Sequence, residues 1–465
     1  MQENLKPYPQ YKESGSPWFG NYPANWELLK TKYLFNERVE KGFPNESLLA
    51  ATQTKGVVPK AQYENRTVLA QKDLHLLKLV EPGDFVISLR SFQGGIEKAY
   101  FRGIISPAYT VMIPSTRINA GYFKHLAKSI PFIKLLTTCV TGIREGQNID
   151  YEILRRNKLP VPPLTEQHQI ASYLDWKTSQ ITKFIKAKKR LIELLKEQKQ
   201  VIINDAVTGK INVRTGKPYR KYKNSGVEWL GMVPEEWEVF PLKKIASSNL
   251  KTLGEKTNSD YEFDYLEINK VKAGYLIDTP TRLVFKDAPS RARRIVNYGD
   301  TIISTVRTYL RSVYYISNPY VKDLVVSTGF CVLTPKSNIV PSCLGYLLRS
   351  DYIIDRVIQN SIGVSYPAIS DSKLMSLKVS LPPINEQSQI IKSIEIKTEK
   401  IDLSISTIDT EIKLLQEYRI RLIADVVTGK VDVRDVVVPV NAIDTMDEEA
   451  DENDIEKIEE PSVNE

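Results

Sequence analysis

Apolar positions recur along two stretches of the chain with one heptad spacing. Leu174, Ile181, Ile185, Ile192, Leu195 and Ile202 follow one another at intervals of 7, 4, 7, 3 and 7 residues. Ile394, Ile401, Ile405, Ile412, Leu415 and Leu422 repeat the series 220 positions later. Such a seam predicts a long helix whose apolar stripe packs on another helix. Pro162-Pro163 and Pro382-Pro383 forbid a helix through themselves, Thr165 and Asn385 stand where N-caps are expected, and Gly209 and Gly429 supply terminating glycines. Each stretch is expected to be a single helix of about 40 residues, roughly 60 Å at 1.5 Å per residue. Lys177, Lys188 and Glu411 interrupt the apolar faces. Two helices so alike in one chain pack most simply on each other; pairing between molecules is the competing arrangement.

The stretches before the helices alternate short runs of Val, Ile, Tyr and Phe with Gly, Pro, Asn and Asp, as in VFKDAPSRARRIVNYGDTIIST, a pattern that predicts twisted β-sheet with a few helices. They repeat as well. SGSPWFGNYPANW from Ser14 answers NSGVEWLGMVPEEW from Asn224, GDFVIS from Gly83 answers GDTIIS from Gly299, and SPAYTVMIP from Ser106 answers STGFCVLTP from Ser327. A duplication of this period marks one fold used twice with different loops. The reading is an α+β chain with an internal repeat: a first β-rich module over 1–160, a long helix over 161–210, a second module over 211–380, a second helix over 381–435 and a tail over 436–465.

Length and composition narrow the class. The 465 residues suit two to four domains, and 42% hydrophobic with 26% charged residues is a globular balance. No apolar run approaches the roughly 20 residues needed to span a bilayer. The start, MQENLKPYPQ, shows no basic-then-apolar leader, so a cytosolic location is expected. Cys139, Cys331 and Cys343 are scattered, as are His75, His125 and His168, and neither a disulfide framework nor a zinc site is readable. The residues from Val436 to Glu465 hold eleven Asp or Glu and one Lys, a net of −10, so the formal +8 of the whole leaves +18 on the rest. A body that basic points to a polyanion, most often nucleic acid, although many soluble proteins are simply basic. The tail reads as disordered and solvated.

Two related modules joined by long stiff helices suit two places on one extended ligand. On a duplex they would read two half-sites separated by unread bases. Differing loops then predict differing halves. Candidate contacts occupy matching places. In the second module Arg291, Arg293 and Arg294 precede the Gly-Asp turn, and Ser304, Thr305, Arg307, Tyr309 and Arg311 follow its strand. In the first, Arg90, Ser91, Phe92 and Gln93 follow the equivalent strand and run into Gly94-Gly95, where backbone could approach a ligand closely. Arg suits bidentate reading of guanine, Gln of adenine, and Ser or Thr a phosphate. A solvated basic face and a plain glycine turn are the competing readings of the two clusters.

Motifs for catalysis are absent. Gly209-Lys210 and Gly429-Lys430 lack the upstream glycine and following hydroxyl of a phosphate loop, and Asn318-Pro319-Tyr320 reads as a turn because no glycine-rich cofactor loop accompanies it. No carboxylate cluster suited to a nuclease metal stands out. The chain is expected to be a reader without chemistry of its own.

Taken together, LPVPPLTEQHQIASYL and SLPPINEQSQIIKSI at the helix starts, AVTGKI and VVTGKV at their ends, and SRARRIVNYGDTIISTVR, STGFCVLTP, GVSYPAIS, RSFQGGIE and RGIISPAYTVMIP in the modules resemble the specificity subunits of type I restriction-modification systems. The resemblance covers nearly the whole chain. It implies two target recognition domains, each reading half of a split double-stranded DNA site, joined by antiparallel helices that set the spacer and dock two methyltransferase subunits. Those partners would place N6-methyl on adenine from S-adenosylmethionine, and two restriction subunits using ATP and Mg would complete the complex; this chain would hold no cofactor. A coiled-coil interaction protein and a free-standing DNA-binding regulator are the alternatives. The acidic tail departs from the family pattern.

Overall fold

Each Gly-Asp pair found in the sequence opens a buried strand, and the reason is local. Gly83 and Gly299 adopt φ of 96° and 89°, a left-handed turn that favours glycine. The following aspartates, both buried, fold their carboxylates back over the turn: Asp84 Oδ2 accepts from Glu81 N at 2.9 Å, and Asp300 Oδ2 from Asn297 N at 2.8 Å. The strands so launched, Phe85–Ile87 and Thr301–Ser304, are apolar or small and fully buried, as befits the interior of a sheet covered on both faces.

The computed structural model describes residues 5–53, 55–62, 73–89, 91–142, 148–318 and 322–439. The chain divides into two compact units, Met1–Lys189 with Asp409–Glu465, and Arg190–Ile408, so each unit takes part of both long helices. In the first unit a four-stranded antiparallel sheet has the order Phe35–Arg38, Thr110–Pro114, Phe85–Ile87, Glu97–Lys98. In the second the order is Ala246–Ser248, Phe330–Pro335, Thr301–Ser304, Val313–Tyr315. These are the same topology built from the repeated segments. Around them the hairpin Tyr11–Glu13/Asn21–Pro23 matches Tyr222–Asn224/Met232–Pro234, and Glu27–Lys30 pairs with Lys158–Val161 as Glu238–Pro241 pairs with Lys378–Leu381. The second unit adds a sheet ordered Thr281–Val284, Glu262–Leu266, Leu324–Ser327, Ala292–Val296.

The long helices run Leu164–Val207 and Ile384–Val427, 44 residues each. Within the first unit they pack antiparallel: Arg419 Nη1 donates to Thr182 Oγ1 at 3.3 Å and Lys188 meets Glu411 at 2.5 Å. Within the second, Lys199 meets Asp402 at 2.6 Å, and Ile203, Ala206 and Val207 share a cluster with Ile390 and Ile394. Two residues that break the apolar seam, Lys188 and Glu411, thus answer each other. Leu174, Ile181, Ile185, Ile192, Ile394, Ile401, Ile412 and Leu422 are buried, while Leu195, Ile202, Ile405 and Leu415 are half-buried. Ile408, seven positions after Ile401, is buried while Ile405 is not, and Ile203 carries the packing that a strict heptad gives to Ile202. An ideal helix drifts by about 20° per heptad, which moves the buried stripe by one position over this length.

The expected caps are corrected. The helices start at Leu164 and Ile384, so Thr165 and Asn385 are exposed residues of the first turn. The second proline of each pair holds the capping place, its carbonyl accepting from Gln167 N at 2.9 Å and from Gln387 N at 3.1 Å. What anchors each start is the Glu-Gln pair that follows. Glu166 accepts from Trp26 Nε1 at 2.7 Å, from Asn25 Nδ2 at 2.9 Å and from Tyr8, and Glu386 accepts from Trp237 Nε1 at 3.3 Å and from Tyr219. The buried amides of Gln167 and Gln387 each bridge a proline carbonyl and the loop entering a neighbouring helix. The terminating glycines have φ of 74° and 75°, and a side chain there would run into Pro234 and Trp237 in one unit or Pro23 and Trp26 in the other.

A final correspondence joins distant sequence. Asp432 bridges to Lys6 in the first unit as Asn212 bridges to Lys217 in the second, and Tyr11 OH donates to Gly429 O at 3.0 Å as Tyr222 OH does to Gly209 O at 3.2 Å. Among the described residues no helix is long and apolar enough to cross a membrane. The acidic tail lies almost wholly outside the described residues, as do Pro319 and Tyr320.

Candidate nucleic-acid interface

In the second unit the strand Thr301–Ser304 ends in a loop with unusual backbone. Arg307 and Arg311 both take left-handed φ, 50° and 56°, on either side of the turn Thr308–Leu310. Two such arginines in one loop cost free energy that the surroundings must offset, a state found most often at functional sites. A second segment, Ser361–Ile369, supplies the support. Arg307 N donates to Pro367 O and Ile369 N to Thr305 O, at 2.8 and 2.9 Å, and Thr308 Oγ1 lies 2.9 Å from Ser361 Oγ.

The paired loops expose an aromatic and basic surface. The Arg307 guanidinium sits 4.7 Å from the centre of the Tyr366 ring. Stacking occupies its face and leaves its edge N–H groups without an acceptor among the described residues, ready for a planar partner. Tyr309, Ile362 and Tyr366 are exposed by half or more, and Val364 is fully so. Arg291 is exposed, 3.3 Å from Glu267, and its carbonyl accepts from Thr328 N. Arg293 lies over the Phe285 ring at 4.7 Å.

Other candidates serve the fold. Ser304 and Thr305 are buried, their hydroxyls donating to Val306 O at 2.5 Å and Gly329 O at 3.0 Å. Arg294 is largely buried and bonds Asp371 at 3.1 Å. Arg311 pairs with Asp351 and, at 3.8 Å, with Asp355. Asp351 begins the helix Asp351–Gln359, so this arginine ties the loop to it.

The first unit places its candidates in the matching turn. Arg90 lies outside the described residues. Ser91 is buried and its Oγ accepts from Ser88 N at 2.8 Å, while Gln93 is exposed and Phe92 half-buried on the short helix Ser91–Gly94. The expectation that Gly94-Gly95 admits a ligand is corrected. The space beside Gly94 is taken by Gln53 and that beside Gly95, at φ 87°, by the carbonyl of Ala127. Lys128 Nζ further binds Gly94 O at 3.0 Å. These glycines let the turn press on neighbouring protein.

Residues 234–414 match the type I restriction modification DNA specificity domain. The type I restriction enzyme MjaVIII specificity subunit of Methanocaldococcus jannaschii is 24% identical over 432 residues, which covers 89% of this chain and 95% of that one. The chain is similar along most of its length to type I specificity subunits, and these likenesses support a role as a DNA sequence-specificity subunit. Among solved structures, this chain shares its fold with a chain from a type I restriction-modification system studied for its assembly and conformational transition, at TM-score 0.63, 15% identity, and coverage of 88% and 99%. The HsdS subunit of Thermoanaerobacter tengcongensis aligns at TM-score 0.50 and 14% identity, covering 88% and 98%.

The exposed segment that residue types alone do not mark as a candidate contact spans 361–369. Its Ile362, Val364 and Tyr366 alternate with Gly363 and Ser365, the signature of a half-buried strand. Here the alternation is displayed to solvent. The counterpart in the first unit begins at Gly142, whose φ of 95° matches the 112° of Gly363, and residues 143–147 lie outside the described residues.

Proposed function

We propose that each β-rich module of this specificity subunit reads one half of a bipartite, asymmetric site in double-stranded DNA. The observation that carries this is the pairing of one sheet topology with two unlike loop sets: the four-stranded sheet order is the same in both units, while Arg307, Tyr309 and Tyr366 in the second unit stand where the first has a different loop with Phe92 and Gln93. Equal frames set equal docking, and unequal loops give unequal half-sites. The exposed Arg291, Arg307 and Tyr309 and the half-buried Arg293 are the contacts assigned to the second half-site, and Gln93, Phe92 and the segment containing Arg90 to the first. Ser91, Gly94, Arg294, Thr305 and Arg311 act by holding these loops in place.

The reading extends to partners. The long helices fix the spacer and dock two methyltransferase subunits, two restriction subunits complete the complex, and S-adenosylmethionine, ATP and Mg belong to those partners. This chain supplies address and geometry without catalysis, because the target adenine is flipped into the methyltransferase.

Methyladenine mapping in cells carrying the cognate methyltransferase, with and without this protein, tests the proposal. A split asymmetric motif that depends on the protein is expected. Arg307→Ala should weaken binding by about 1–3 kcal/mol and relax base preference in one half-site only, whereas Thr305→Ala should leave base preference unchanged. Loss of discrimination in both halves from Arg307→Ala would sink the division of labour.

A further inference from the structure

The two units fill one internally equivalent place with opposite chemistry. Asn119 N and Val340 N donate to the glutamines at the helix starts, Gln167 at 2.7 Å and Gln387 at 2.8 Å, which matches 119 with 340. Lys124, His125 and Lys128 therefore answer to Gly345, Tyr346 and Arg349. Gly83 N donates to Ala99 O as Gly299 N does to Ile316 O, which matches Glu97 and Lys98 with Tyr314 and Tyr315. On the long helices, Asp175 answers to Glu395.

In the first unit this place is filled by satisfied charges. Lys124 Nζ and His125 Nε2 each lie 2.6 Å from Asp175 Oδ1. Lys128 pairs with Glu97 and bonds the carbonyls of Gly94 and Gln53 at 3.0 and 3.1 Å. In the second unit the same place is a cleft of about 440 Å³. Gly345 removes the side chain that Lys124 contributes, and Tyr314 removes the carboxylate that Glu97 offers. Arg349, in the position of Lys128, is left with a buried Nε that has no hydrogen-bond partner among the described residues, and its guanidinium stands 5.3 Å from the centre of the Tyr346 ring. Tyr275, Tyr314 and Tyr315 complete the aromatic wall, and Ser317, Ser342 and Glu395 supply polar groups on it.

We propose that this cleft is a mononucleotide site, taking a nucleoside monophosphate with the phosphate on Arg349 and the base among the tyrosines. The missing partner of Arg349 is an anion, since its counterpart Lys128 is neutralised by a carboxylate. Arginine suits phosphate and tyrosine faces suit any base. Serine hydroxyls and a carboxylate beside the rings match the amino and carbonyl edge of a base, which an aromatic amino-acid side chain lacks. The volume lies in the range of small-ligand sites, roughly 300–1,000 Å³.

Calorimetric titration of the full chain with AMP, adenosine and inorganic phosphate tests the site. Saturable AMP binding is expected, with adenosine and phosphate each at least tenfold weaker. Tyr314→Glu gives Arg349 the internal carboxylate of the first unit and should weaken AMP at least tenfold. Ser342→Trp fills the cleft without touching Arg349 and should do the same, with an unchanged thermal transition showing that the variant is folded. Arg307→Ala and saturating duplex DNA should leave AMP affinity unchanged, which separates the cleft from the DNA interface. The proposal is overturned by absent AMP binding, by phosphate binding as tightly as AMP, by an acidic aromatic dipeptide such as Glu-Tyr binding in its place, or by full AMP affinity in both cleft variants.

Discussion

Glu97 shows how far one residue's chemistry departs from its sequence appearance. It sits in a short strand with its side chain almost wholly enclosed, and burial pushes its carboxyl up to about 7 against the pull of Lys128. A carboxyl raised above its ordinary 4.5 binds its proton more tightly folded than unfolded. Stability then falls as pH rises between 4.5 and 7, and the whole cost is present above 7. Glu97→Gln lacks this dependence. Relative to the variant, the native chain should lose on the order of 1–3 kcal/mol between those limits, read from urea midpoints across pH. Parallel curves would exclude the buried titration. The composition carried no sign of this ionic cluster, because its members are scattered from Glu97 to Asp175 and only the fold gathers them. The Gly-Asp turns were legible for the opposite reason: their physics lies in two adjacent residues. Thr305 and Arg294 look like contacts in the sequence and are structural, since a polar residue type does not reveal whether its partner is solvent, ligand or its own backbone.

At the level of elements, the helices were readable almost residue by residue. Apolar period, flanking prolines and final glycines are all local signals. What periodicity could not fix is phase, and Ile203 in place of Ile202 is the outcome. Ile203→Ala should cost about 2–4 kcal/mol in chemical denaturation, and Ile202→Ala clearly less, because only the first leaves a cavity in the cluster with Trp237 and Ile390. Equal losses would restore the strict heptad. The sheets were readable as β structure but not in their order, since strand pairing joins segments such as Ala246–Ser248 and Phe330–Pro335 that are far apart in the chain. Repetition compensated, because an order worked out for one unit holds for the other. Loops were least legible, and the alternating Ile362, Val364 and Tyr366 would be placed inside by any rule of periodicity.

For the molecule as a whole, the two bridges Asp432 to Lys6 and Asn212 to Lys217 have a genetic consequence. What the second unit achieves by continuing its chain through a turn, the first achieves by bringing together residues more than 400 positions apart. Each unit is also completed by the helix that follows the other module. The chain therefore has the connectivity of two exchanged subunits fused end to end, with the join at Thr215-Gly216, just after Val213 on the cluster around Ile390 and Arg214 on Gln389. Polypeptides spanning 5–214 and 217–439, expressed together, should copurify in equal amounts and bind the intact protein's DNA site. Failure of the pair to associate would show that the covalent join is needed. If they do associate, a gene for one half encodes a self-pairing protein whose target is a palindrome, and the asymmetric reader arises from it by duplication, fusion and divergence of loops alone.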